Sequence, residues 1–109
     1  MSQDSFQVVN YQYYHWSSRN SGKTNLNLEG VGGKRCSVWF EEDPEAELAE
    51  AHQIAPNVYS FCYHHHQLAA LIDMLRNEKP VYVYFNNDNG FNNSRISTNY
   101  EPVGEGEES

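Results

Sequence analysis

Positive charge is what this chain has least of. Its 109 residues include 7 Lys and Arg against 15 Asp and Glu, a net charge of −8. A surface of that sign is repelled by a phosphate backbone unless its few cations are gathered on one face, so nucleic acid is an unexpected partner. Cysteine is scarce as well. Cys36 and Cys62 each sit in an apolar alternating run, which reads as two reduced, buried thiols in an intracellular protein. Whether the two residues are close in space is not decided by their spacing. No apolar run approaches the ~20 residues that a membrane helix needs. No charged-then-apolar leader opens the sequence, so a soluble, cytoplasmic protein with no membrane partner is expected.

Complete reaction motifs are missing too. Ser21-Gly22-Lys23-Thr24 carries the end of a phosphate-binding loop, but Ser17 stands where its first glycine belongs, and residues 25–28 read as strand instead of helix. Gly30-Val31-Gly32 opens a dinucleotide fingerprint that Arg35 breaks. Asn87, Asn89 and Gly90 resemble part of a calcium loop. Its first and last ligand positions would fall on Phe85 and Ile96, which cannot bind a hard cation through their side chains. Cys62 and His64 share a strand face about 7 Å apart, beyond hydrogen-bond reach. Glu41, Glu42 and Asp43 are clustered carboxylates of the kind that cap a helix or face solvent. No catalytic residue and no cofactor are predicted.

What the chain does have is aromatic bulk and clear periodicity. Eight of its fifteen aromatic residues are tyrosine, a side chain with a large apolar body and a polar tip. In residues 67–98 a helix, a strand and a hairpin follow one another. Leu68, Leu71, Ile72 and Leu75 recur at i, i+3, i+4 and i+7, an apolar stripe along a helix of about residues 65–77. Pro80 ends it. Val81, Val83 and Phe85 then alternate with Tyr82, Tyr84 and Asn86 as in a strand. Asn89-Gly90 is the pair that a two-residue type I′ turn selects. That turn would set Val83 opposite Ile96 and Phe85 opposite Ser94, with the apolar residues on one face.

The N-terminal half reads as strands separated by loops. Residues 6–16 are aromatic and β-branched but change parity at Val8-Val9, which suggests a bulge or a strand covered on both faces. Leu26 and Leu28 mark a short strand. Cys36, Val38 and Phe40 face one way in the next, with Ser37, Trp39 and Glu41 facing the other. Asp43-Pro44-Glu45 has the form of a helix start, predicting a short helix from Pro44 to about His52 that Pro56 prevents from continuing. Residues 58–63 are β-prone. From Glu101 onward the chain is Gly- and Glu-rich and is predicted to be a disordered acidic tail, leaving residues 1–100 as one globular domain.

Residues 68–90, helix, alternating valines and Asn-Gly in turn, resemble the opening of Sm-like proteins. That family continues with several strands, whereas only one follows here, so the resemblance implies a permuted small barrel: a strongly bent sheet assembling through strand edges. The family's second RNA-contacting motif has no match in this chain. The predicted fold is thus α+β, a small, mostly antiparallel, strongly bent sheet forming a partly open barrel, with one main and one short helix. The predicted function is a non-catalytic interaction or assembly module that self-associates through Tyr11, Tyr13, Tyr82 and Tyr84, because tyrosine is favoured at interfaces. One alternative is a metal-binding protein or metal-dependent enzyme built on His64, His65 and His66, since imidazole is a common ligand of zinc and its neighbours. The other is a permuted Sm-like module that binds RNA through Lys34 and Arg35.

Overall fold

In a computed structural model, which describes residues 3–18, 20, 24–88 and 91–98, the chain forms one strongly curled mixed sheet and one α-helix. The strands are β1 (Gln3–His15), β2 (Thr24–Gly30), β3 (Arg35–Glu41), β4 (His52–Ala55), β5 (Val58–His64), β6 (Val81–Asp88), β7 (Phe91–Asn92) and β8 (Arg95–Thr98); the helix, α1, is Leu68–Asn77. Neighbours in the sheet run β4-β5-β3-β2-β1-β6-β7, and β8 pairs with β6 beside β7. All pairings are antiparallel except β3 with β5, which runs parallel from Arg35–Val58 to Glu41–His64. The sheet is therefore mixed.

Curling starts in β1. Residues 3–7 pair with β6, whereas residues 8–15 pair with β2, and the register slips between Val8 and Asn10. The parity change in the sequence is thus a bulge at Val9, a device that bends a strand and increases its twist. Gly30 is required at the bend. A Cβ there would lie 2.1 Å from Phe6 Cδ2 and 2.9 Å from the Gln7 carbonyl oxygen, so only glycine lets β2 run this close to β1.

The concave face is the core. Leu26, Leu28, Cys36, Val38, Phe40, Tyr59 and Phe61 are buried from one arm of the sheet, and Phe6, Val81, Val83, Phe85 and Ile96 from the other. The arms meet at packed rings: Tyr59 lies 4.7 Å from Phe85, tilted by 37°, and is stacked on Phe6 at 6.2 Å between ring centroids. Val83 faces Ile96 as expected, and Asn87–Asn92 keeps the same register, which sets Phe85 level with Ser94. The Asn89-Gly90 turn itself lies outside the described residues, as do the acidic tail, Arg19 and Ser21–Lys23.

Two expectations about helices need correction. α1 begins at Leu68, because residues 65–67 form a 3-10 turn; the Gln67 side-chain oxygen accepts from the His64 backbone N–H at 3.0 Å there. The helix buries Leu71 and Ile72, with Leu68, Met74 and Leu75 half-buried against the core. The short helix predicted for residues 44–52 does not form. Asp43 caps a single turn, accepting from Glu45 N–H at 2.9 Å through its carboxylate and from Ala46 N–H at 3.1 Å through its carbonyl. The chain then runs on to Ala51, which is buried and whose carbonyl accepts the Asn87 and Asn92 amides at 2.8 and 3.1 Å. A helix that short is marginal alone, and these tertiary bonds anchor the end of an irregular segment. It supplies the crossover that the parallel β3–β5 pair needs.

Candidate interaction groove

Gly30 lies beside Phe6 and Gln7, so β2 and the corner after it occupy one side of β1, and β6 lies on the other. β6 begins at Val81, just past the Gln7–Tyr82 pair. Beyond that point, among the described residues, residues 8–15 pair with β2 alone. At about 3.3 Å per residue this leaves some 26 Å of strand edge that no other described strand pairs on one side. α1 runs opposite that edge.

Two concavities lie between edge and helix. One, of about 480 Å³, is lined by Gln7, Val8, Val9, Asn10 and Tyr11 on the strand and by Leu75 to Val81 opposite. Five consecutive strand residues of both parities can line one wall only if the strand presents its edge. The second, of about 620 Å³, has Tyr13 and His15 on one side and His65, His66, Leu68, Ala69, Ile72 and Asp73 on the other. Arg76 and Asn77 line both, so the two are compartments of one groove. Val9 and Tyr13, 55% and 44% exposed, are two of the four large hydrophobic side chains most open to solvent among the described residues.

The structure divides the predicted interaction tyrosines. Tyr11 and Tyr13 share the inward parity of β1 with their partners Leu28 and Leu26, Tyr11 packed on the core and Tyr13 in the groove. Tyr82 and Tyr84 lie on β6 with the parity opposite to buried Val81, Val83 and Phe85, and the Arg95 guanidinium sits 4.4 Å from the Tyr84 ring centre. Sequence reasoning missed the third aromatic group, Tyr14, Trp16 and Trp39. Trp16 and Trp39 stack at 5.9 Å and 11°, and Tyr14 meets Trp16 edge-on at 4.7 Å. The outward parity of Trp39 was its only signal.

The histidines are also divided. His64 Nε2 is 2.9 Å from the Ala46 carbonyl oxygen, and its ring stacks on His66 at 5.6 Å. His65 turns an edge to Phe40 at 6.3 Å, with Nε2 4.0 Å from Glu42. His65 and His66 meet His15 in the groove. Among the described residues, no group of three or more His, Cys, Asp or Glu side chains is placed to hold a metal ion. Cys36 and Cys62 are free thiols on opposite faces, Cys36 level with buried Tyr59 and Cys62 level with Trp39, and burial raises the pKa of both.

Lys34 does not sit with Arg35 as a free basic pair. Its Nζ is 2.5 Å from Asp4 Oδ1, and the Tyr59 hydroxyl donates to the other oxygen of Asp4. Burial opposes ionisation of Asp4, but the hydrogen bonds from Lys34 and Tyr59 and the Lys34 charge outweigh it and hold the carboxyl below its usual range. Burial, then the Asp4 hydrogen bond and charge, push the Tyr59 phenol up to about 12. This network ties the start of β1 to β5. No helix among the described residues is long and apolar enough to cross a membrane. No protein-family model, curated protein or solved structure matches this chain.

Proposed function

We propose that this chain is a small non-catalytic interaction module that binds an extended peptide segment of another protein, added as a strand to β1 within the groove facing α1. The observation carrying this reading is the pairing of β1: residues 3–7 are covered by β6, while residues 8–15 present an edge beside a helix that no other described strand pairs. In strand addition, main-chain hydrogen bonds supply affinity and the flanking surface reads alternate side chains. The length suits this, because the edge would accommodate about seven or eight residues at strand spacing.

A peptide suits the groove better than a second folded copy. Edge-to-edge pairing of two copies would press α1 of each against β1 of the other and bring together two chains of net charge −8. A free segment brings no helix against the strand and carries less charge than a folded copy. Long bare edges are normally protected in soluble proteins by charge, bulges or a covering element. Here Val9 bulges and α1 stands alongside, which guards the edge against a sheet while leaving room for a single strand.

The test is to pan a random octapeptide display library on the immobilised full chain and map the selected peptides by amide chemical shifts. Shifts concentrated in residues 8–15 and 68–77 are expected. Absence of any selected binder, or shifts centred on another surface, contradicts the reading.

A further inference from the structure

The groove differs in charge from the rest of the chain, and that difference specifies what it takes. It holds two of the seven Lys and Arg residues, Arg76 and Lys79, but only two of the fifteen acids, Asp73 and Glu78. Asp73 is engaged by the Asn77 amide, which donates to its carboxylate at 2.7 Å. Three imidazoles, His15, His65 and His66, line the wider compartment. Arg76 lines both compartments and so stands at the junction of the groove. Outside it the remaining charges are 5 Lys and Arg against 13 Asp and Glu.

Resting on the strand-addition reading above, we infer that the partner segment is acidic, with Asp or Glu at the alternate positions that point toward α1. Alternation follows from the strand itself: successive side chains leave opposite faces, so every second one meets Arg76, Lys79 and the imidazoles. A basic segment would exchange these attractions for that of Glu78, since Asp73 is engaged by Asn77, and bring its charges against two cations. The bulk of this acidic molecule repels an acidic partner at long range. The preference therefore comes from close contacts within the groove and weakens as salt rises.

The same panned library separates this inference from the reading beneath it. Peptides selected on the wild-type chain are expected to be enriched in Asp and Glu at alternating positions. Arg76→Glu with Lys79→Glu should weaken those peptides by about tenfold or more, as expected for two exposed ion pairs lost and replaced by repulsion. Panning on that variant should select Lys and Arg instead. Both side chains are exposed, and Arg76→Gln with Lys79→Gln offers a milder pair that should give a smaller loss in the same direction. Neutral or basic peptides that still map to residues 8–15 would overturn the acidic preference and leave strand addition standing. No binder at β1 would overturn both.

Discussion

The two halves of β1 have opposite roles, and the more apolar half is the more exposed one. Residues 3–7 carry Phe6, 6% exposed and stacked on Tyr59, and Asp4, held by Lys34 and the Tyr59 hydroxyl. Residues 8–15 are richer in apolar and aromatic side chains, with Val8, Val9, Tyr11, Tyr13 and Tyr14, yet Val9 and Tyr13 are among the most exposed hydrophobic side chains described. What separates them is whether β6 lies alongside. A continuous strand becomes structural where a second strand covers it and available where, among the described residues, only one does. The bulge at Val9 marks the change.

That contrast can be broken by experiment. Phe6→Ala should cost about 3–5 kcal/mol, as for other buried aromatics, measured by urea unfolding; a loss below about 1 kcal/mol would mean that the first half is no more structural than the second. Gly30→Ala places a methyl group where Phe6 and the Gln7 carbonyl stand, and should cost about 1–3 kcal/mol as an overpacking change. A thermal melt unchanged from wild type would show that the bend is loose.

Asp4→Asn sharpens the comparison through pH. The folded-state carboxyl lies below its ordinary value, so its contribution is complete above the ordinary carboxylate range and is lost as pH falls through the folded-state value. Below both values it vanishes. At neutral pH the substitution should cost about 1–2 kcal/mol through the charged hydrogen bonds. It should also flatten the acid limb of a stability-against-pH curve. An acid limb identical to wild type would remove Asp4 from the structural half. The smallest effect is expected for Tyr13→Ala, under about 1 kcal/mol because the ring is 44% exposed. Its effect should appear instead as weaker binding of a selected peptide; a large stability loss with unchanged binding would reverse the two roles.

Several features were legible along the chain because they depend on neighbours in sequence. The stripe Leu68, Leu71, Ile72 and Leu75 became α1, with Leu71 and Ile72 buried. The alternation of Cys36, Val38 and Phe40 became the buried face of β3. The parity break at Val8-Val9 became a bulge. The short helix after Asp43 was misread because its start signals are local, whereas the bonds that anchor Ala51 come from Asn87 and Asn92, 36 and 41 residues away. The groove was missed for a related reason. Tyr13 was marked as an interaction residue and His65 and His66 as ligands, but their meeting across a groove depends on the packing of α1 beside β1.

The sequence alone therefore determined the periodic elements, α1 and the alternating strands β3, β5 and β6, and which side of each turns inward, because periodicity is a property of adjacent residues; it did not mark β4 or the irregular stretch after Asp43. Only the tertiary structure decided that β3 and β5 run parallel, that Lys34 is bound to Asp4 and that, among the described residues, half of β1 has no strand partner on one side. Pairing of strand edges carries almost no signature in the side chains, since every backbone offers the same donors and acceptors. Which edges meet is settled by the packing of the whole chain.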